Sequence, residues 1–117
     1  MSDENRNLNQ KDQKRIDEGR GQGSLDTYKP FILVGEFSSS GESIRVKSHI
    51  ANRVHHFHSG IEFAAFLIFA YSIKTKDIRE QYPLPLVETL NICNQLGVKH
   101  PQVKSELHIV TTDLLID

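Results

Sequence analysis

The sequence predicts one domain of the α/β or α+β class, in which helices pack against a sheet. Its 117 residues suffice for one modest hydrophobic core but not for two domains. Short apolar or alternating runs bounded by turn residues predict strands, while two longer segments carry apolar residues suited to helices. After a polar start, the order of strands, helix, strand, helix and strand is typical of this class.

The composition excludes several classes of protein. A net charge of −1, with 38% hydrophobic and 25% charged residues, is ordinary for a soluble domain and counts against a dedicated DNA-coating protein. This composition does not exclude an enzyme whose DNA-binding surface lies in another region or subunit. Cys93 is the single cysteine, so no internal disulfide forms and a reducing compartment is favoured. No secretory signal opens the chain, and the longest apolar run, 63–71, cannot span a bilayer. We expect a cytoplasmic chain without membrane contact.

The first half of the chain is predicted to be a polar arm followed by an antiparallel meander. The arm covers residues 1–27, where 9–18 could form a short helix stopped by the glycine-rich stretch 19–23. A frayed, solvated arm is the simpler interpretation. Strands are predicted over three segments, 31–34, 43–47 and 53–58, with a turn at 38–42.

The second half of the predicted domain, which as a whole covers 28–117, contains two helices and two strands. Ser59 and Glu62 have the spacing of a capping box and predict a helix running to about Ile73, apolar all round and therefore buried on most faces. The remaining elements follow in order: a strand over 77–82, a helix over 86–96 with Gly97 as its left-handed C-cap, a loop over 98–102 and a strand over 107–116.

Two acids in these elements suggest a metal-dependent nuclease site. Phosphodiester hydrolysis needs an activated water and neutralisation of charge, which Mg²⁺ held by carboxylates can supply. Glu62 at a helix start and Asp113 in an otherwise apolar strand have the right ligand type. Simpler interpretations stand beside this one: Glu62 completes a capping box by reaching the Ser59 backbone, and Asp113 is a strand acid turned to solvent.

The histidines offer a competing site. His56 and His58 share one face of the predicted strand, with His55 on the other, and such spacing occurs in transition-metal sites. A small structural zinc protein is therefore a further hypothesis, although no Cys-x-x-Cys or His-Glu-x-x-His motif supports it.

Several segments together resemble a known family. They are Arg20-Gly-Gln-Gly23 before Tyr28-Lys-Pro30, Ser40-Gly-Glu-Ser-Ile-Arg45 followed by Arg53-Val-His-His56, Ser59-x-x-Glu62, Asp77-Ile-Arg-Glu-Gln-Tyr-Pro-Leu84, Val98-Lys-His-Pro101 and Thr111-Thr-Asp113. In order and spacing they are similar to the N-terminal catalytic domain of the TnsA endonucleases, subunits of heteromeric cut-and-paste transposases. The resemblance covers about residue 15 to the end, and the segment 77–84 is its most specific part.

The resemblance implies a restriction-endonuclease-like mixed sheet flanked by helices, in an enzyme that cleaves the 5′ ends of a transposon with Mg²⁺, for which Mn²⁺ can substitute. By motif position Glu62 and Asp113 would be catalytic metal ligands. Its partners would be transposon-end DNA, a DDE transposase subunit that cuts the 3′ ends, and an AAA+ regulator bound through a C-terminal region. Five further residues could contact DNA or support the site: Arg53, His56, Arg79, Gln81 and His100.

The family's Gln-x-Lys strand, which follows the second acid, has no counterpart here. Gln102-Val-Lys104 precedes Asp113, so its role is not transferred. We therefore expect a domain truncated before the last core strand and helix, inactive or nearly so alone, with Leu114 and Ile116 exposed at an open edge. An alternative is a non-enzymatic module that docks on the transposase partner.

Overall fold

The computed structural model describes residues 7–34, 43–103 and 105–117, and of Val103 it describes the main chain only. The elements in chain order are α1 (Gln10–Asp17), a 3-10 turn (Leu25–Thr27), β1 (Ile44–Lys47), β2 (Val54–Phe57), α2 (Gly60–Ala70), β3 (Ile78–Pro83), α3 (Leu86–Leu96), β4 (Gln102–Val103), β5 (Glu106–Leu107) and β6 (Thr111–Ile116). The fold is α+β, which confirms the predicted class. The turn expected at 38–42 lies outside the described residues.

Among the described residues the strands pair in three two-stranded antiparallel sheets rather than in one mixed sheet. β1 pairs with β2 from Ile44 opposite Phe57 onward, and β4 pairs with β5. β3 pairs with β6, with Ile78 opposite Ile116 and Pro83 opposite Thr111. This last sheet joins the two segments that bear on the candidate site.

The core lies where α2 crosses β2 and β3. Phe57, Phe66, Ala70 and Ile78 are buried together, and five half-buried side chains pack around them: Ile44, Ile50, Phe63, Leu114 and Ile116. The prediction that Leu114 and Ile116 are exposed is therefore wrong, because the pairing of β6 with β3 turns both towards this cluster. Complete burial of such side chains contributes about 1.5–3 kcal/mol each.

The prediction that α2 is buried on most faces is also wrong. Phe66 and Ala70 form a buried i, i+4 stripe, whereas Ile61 and Ile68 are 85% and 73% exposed. An apolar sequence on all sides does not distinguish the face that meets the core from the others. The helix also ends at Ala70, three residues before the predicted end. No helix of the described chain is long and apolar enough to cross a membrane.

The strand predicted over 31–34 is absent. The Phe31 side chain is fully buried, and the Phe31 backbone N–H donates to the Gln81 carbonyl at 3.0 Å. The Val34 N–H donates to Nδ1 of His56 at 3.2 Å, and Arg45 donates to the Val34 carbonyl. One backbone carbonyl and two side chains thus satisfy these backbone groups in place of a strand ladder, since an apolar run alone does not specify strand pairing.

The predicted helix over 9–18 is present as α1, capped by the Asn9 side chain. Asp12 on this helix is buried and accepts a 2.8 Å hydrogen bond from the Ile109 N–H. This part of the predicted arm is therefore packed against the chain just before β6 rather than frayed. The strand predicted over 107–116 is broken, with β5 ending at Leu107 and β6 beginning at Thr111.

Candidate functional site

Glu62 lies in the first turn of α2, at a well-formed helix start. Ser59 has extended backbone geometry and its Oγ accepts from the Glu62 N–H at 3.1 Å, which satisfies one of the orphan donors of the first turn. The acid also favours the positive end of the helix dipole. The predicted helix cap is confirmed.

The carboxylate of Glu62 makes contacts that differ from those of a complete capping box. Its Oε2 accepts from the Ser59 hydroxyl at 3.1 Å, not from the Ser59 backbone as expected, and its Oε1 accepts from Gln81 Nε2 at 3.3 Å. The His58 N–H lies 3.5 Å from Oε1. Since a carboxylate offers about four acceptor positions, Glu62 is held in place yet keeps acceptor capacity.

Gln81 connects Glu62 to β6. Its side chain is buried, its Nε2 donates to Glu62, and its Oε1 accepts from Thr111 Oγ1 at 3.1 Å. Its backbone has a φ of 47°, in the left-handed region, although it lies inside β3. Such a conformation costs about 1–3 kcal/mol in a non-glycine residue, and residues held in it are concentrated at functional sites.

Asp113 lies on β6 opposite the same part of β3. Tyr82 pairs with Thr112 and Glu80 with Leu114, so the register places Asp113 across from Gln81. The side chain is exposed, as the simpler interpretation expected. The sheet therefore brings the two predicted acids towards Gln81, Glu62 through its hydrogen bond and Asp113 through the pairs formed on either side of it.

The donor atoms in this region suit a hard divalent cation. Mg²⁺ prefers oxygen ligands and is commonly held by one or two carboxylates, with waters and substrate phosphate completing its shell. In residues 7–34, 43–103 and 105–117 no group of three or more His, Cys, Asp or Glu side chains could hold a metal. Two carboxylates are ligands of the type that Mg²⁺ takes, and these described residues provide no closed site of the zinc type.

Arg53, predicted to contact DNA or support the site, is committed to structure. Its guanidinium donates to both oxygens of Glu80, at 2.7 and 3.0 Å, and to the carbonyls of Leu25, Ile78 and Val54. It also lies 5.0 Å from the centre of the Tyr28 ring. These contacts involve all five N–H groups, so Arg53 is a supporting residue rather than a phosphate contact.

Glu80, which the sequence interpretation did not single out, is the most deeply buried acid of this region. It is fully buried, and besides Arg53 it accepts from His55 Nδ1 at 3.1 Å and from the His56 N–H at 2.7 Å. Burial alone would raise the pKa of Glu80, but the hydrogen bonds from His55 and Arg53 and the Arg53 charge outweigh it and hold the pKa at about 2. The polar character of the segment 77–82 is the sequence signal that points to such a residue.

The histidines predicted to form a possible zinc site are divided between two environments. His55 is buried between Glu80 and the Ser48 hydroxyl, 2.8 Å from its Nε2. His56 accepts from the Val34 N–H through Nδ1, and burial lowers its pKa, as does the nearby Arg45 charge. His58 Nε2 lies 3.4 Å from the Ile32 carbonyl. The sequence alternation on β2 is confirmed, and it turns His55 to the buried face and His56 to the opposite one.

Arg79 and His100 also support the fold. Arg79 Nε donates to Asp77 at 2.9 Å. His100 is buried, with Nε2 2.7 Å from Thr89 Oγ1 and Nδ1 3.1 Å from the Pro101 carbonyl, which joins the loop after α3 to the first turn of that helix. Neither residue contacts Glu62 or Asp113 through these bonds.

Two adjoining clefts lie beside this region, with volumes of about 570 and 390 Å³. They share Glu18 and Arg20, and the larger is lined by both basic and acidic side chains, among them Lys11, Lys14 and Asp12. Neither contains Glu62 or Asp113. The candidate site therefore lies outside both clefts.

Comparison with known proteins shows what this sequence is similar to. No family model matches the sequence. The chain is 43% identical over 104 residues to the transposon Tn7 transposition protein TnsA of Escherichia coli. The matched segment covers 89% of this chain and 38% of that protein, so the chain spans well under half the length of its relative.

Proposed function

Because this chain is TnsA-like over 104 of its residues, we propose that it contributes part of the catalytic site of a transposon-end endonuclease. The proposed reaction is Mg²⁺-dependent hydrolysis of a phosphodiester at the 5′ ends of the transposon. Transposon-end DNA would be the substrate, with a DDE transposase subunit and an AAA+ regulator as partners.

The observation that carries the proposal is the link through Gln81. A hydrogen bond joins Gln81 to Glu62 on α2, and the β3–β6 register places Asp113 opposite Gln81. Two acids separated by 51 positions in sequence thus flank one strand. Both belong to motifs through which the sequence resembles TnsA, and neither is neutralised by an ion pair among the described residues.

In this proposal Glu62 and Asp113 would hold the cation, which supplies charge neutralisation and an activated water when bound. Ser59 and Gln81 keep the Glu62 carboxylate in one orientation, so little ordering is needed when the ion binds. The buried Arg53–Glu80–His55 cluster keeps β2 and β3 in place beneath the site.

Cleavage is best tested with the full-length protein together with its partner transposase on transposon-end DNA. Glu62→Gln and Asp113→Asn should each reduce 5′-strand cleavage at least 100-fold, while 3′-strand cleavage by the partner persists. Glu88→Gln is a matched control, because Glu88 is an exposed acid in the first turn of α3. Wild-type 5′ cleavage by both site variants would refute the proposal.

We expect no nicking by this chain alone. The resemblance assigns the orientation of the attacking water to a Gln-x-Lys segment that follows the second acid, and residues 114–117 contain no lysine. A supercoiled plasmid incubated with the 117-residue chain and Mn²⁺ checks this expectation. Nicking that depends on Glu62 would contradict it, while still supporting the role of the acid.

One observation favours the alternative of an interaction module. Ile61 and Ile68 on α2 and Val87 and Leu96 on α3 are more than two-thirds exposed, and large exposed apolar side chains are common where proteins bind one another. A pull-down with the DDE subunit distinguishes the two functions: Ile68→Lys would abolish binding in a docking module, and Glu62→Gln would leave it unchanged.

A further inference from the structure

Gln81 holds more contacts than a strand residue requires. Its side-chain Nε2 donates to Glu62 and its Oε1 accepts from Thr111, while its carbonyl accepts from the Phe31 N–H and the Tyr28 hydroxyl. The carboxylate of Glu62 can only accept, so the NH₂ end of the amide must face it. The side chain is therefore fixed both in position and in the direction of its amide.

The backbone conformation of Gln81 determines the direction of this side chain. With φ at 47°, the residue departs from extended geometry inside β3, and such departures redirect side chains in a sheet. Its neighbour Glu80 is directed to Arg53 and His55, whereas Gln81 is directed to Glu62. Glutamine thus occupies a left-handed position that glycine or asparagine would adopt more readily.

We infer that Gln81 is a positioning residue, which orients the Glu62 carboxylate towards Asp113 for divalent-cation binding. This inference rests on the proposed function, because it requires that Glu62 and Asp113 hold the ion. Gln81 would act through Glu62 without contacting the metal. Loss of a residue that supports a metal ligand typically lowers metal affinity about 10–100-fold.

The test uses Mn²⁺ alone as the probe, with the 117-residue chain. Paramagnetic broadening of NMR signals near residues 62 and 113 reports the apparent Mn²⁺ affinity without requiring activity. Gln81→Gly and Gln81→Asn are the variants of choice, because both residues tolerate positive φ and both remove the reach to Glu62. Each should weaken Mn²⁺ binding at least 10-fold, with a folded spectrum retained.

Two controls separate positioning from general damage. Gln95→Ala removes an exposed glutamine from α3 and should leave the Mn²⁺ affinity unchanged. Thr111→Val removes only the hydroxyl that contacts Gln81, and should weaken binding less than either Gln81 variant. If a Gln81 variant unfolds, Gln81→Met, which keeps the side-chain length but removes the amide that donates to Glu62, must lower the affinity in its place.

The outcomes distinguish this inference from the proposed function. Wild-type Mn²⁺ affinity in folded Gln81→Gly and Gln81→Asn, with affinity lost in Glu62→Gln, would overturn the positioning role alone. Absence of site-specific broadening in the unmodified chain, or unchanged affinity in Glu62→Gln, would overturn the proposed metal site and the inference with it. Reduced affinity in the Gln81 variants and in Glu62→Gln, with Gln95→Ala unchanged, supports both.

Discussion

The carboxylates of Glu80 and Glu62 differ in how completely their oxygens are hydrogen-bonded. Glu80 is fully buried and accepts four hydrogen bonds, two from Arg53, one from His55 and one from the His56 N–H. Glu62 is half-buried and accepts from Ser59 and Gln81, with the more distant His58 N–H at 3.5 Å, so that acceptor capacity is left over. The consecutive residues Glu80 and Gln81 thus belong to different clusters. Glu80 forms a closed cluster with Arg53 and His55, in which its acceptor positions are filled. Gln81 forms an open cluster with Ser59 and Glu62, in which acceptor capacity remains.

The difference separates a structural acid from a candidate ligand. An acid whose lone pairs are all occupied by fixed donors cannot bind a cation without losing them, whereas removing its partners leaves a buried charge unpaired. An acid that is oriented but incompletely satisfied can accept an ion at little cost. Burial and charge alone would make Glu80 the stronger candidate for a metal ligand. The hydrogen bonds that each carboxylate already accepts favour Glu62 instead.

The strongest way to test this contrast is Glu80→Gln. The amide has one acceptor oxygen in place of two and presents an NH₂ group to the donors of Arg53 or His55, so a buried guanidinium loses its counter-charge. We expect a loss of about 3–5 kcal/mol in the free energy of unfolding, measured by chemical denaturation. A loss below about 1 kcal/mol would show that the closed cluster is not a structural centre.

Acid should act on the same cluster. The folded-state pKa of Glu80, about 2, lies below its ordinary value of 4.5, so its contribution is fully present above about pH 5 and is lost as pH falls towards 2. The loss should be on the order of 3 kcal/mol. Denaturation curves recorded between pH 6 and pH 2 measure it, and Glu80→Gln should flatten the pH dependence. An equally steep dependence in that variant would assign the effect to other carboxylates.

The sequence predicted those features that depend on local signals. The Ser59 start of α2, the Gly97 end of α3 and the alternation on β2 each follow from caps or from period-two burial, and each is confirmed. The α+β class follows from their order.

What the sequence did not predict depends on long-range pairing. Phe31 is anchored by the Gln81 carbonyl, and Glu80 is satisfied by residues 24 to 27 positions away, which no local pattern encodes. Likewise the exposed faces of α2 depend on which elements cover them. The acids Glu62 and Asp113 were named through a family resemblance and motif chemistry, and their shared link to Gln81 required the register of β3 and β6.

Substitutions in the open cluster should reduce the free energy of unfolding less than Glu80→Gln does. The first of these substitutions changes the helix cap at Ser59. Ser59→Ala removes the acceptor for the Glu62 N–H and one donor to the Glu62 carboxylate, and should cost about 1 kcal/mol. Ser59→Asn, which preserves a good cap, should cost only a few tenths of that. Thermal or chemical denaturation of the two variants compares them directly, and equal losses would mean that the cap does not stabilise α2.

Glu62→Gln makes the same chemical change as Glu80→Gln in the open cluster, and its effect on stability should be the smallest. The amide can still accept from Gln81 or Ser59, so the expected loss is the helix-dipole contribution of an acid in the first turn, about 0.3–1 kcal/mol. Relief of charge desolvation in this half-buried position offsets part of that loss. Chemical denaturation of Glu62→Gln beside Glu80→Gln, in one buffer at neutral pH, gives the difference. Comparable losses of several kcal/mol in both would mean that Glu62 is as fully committed to the fold as Glu80, and would remove the physical basis for assigning it to a cation.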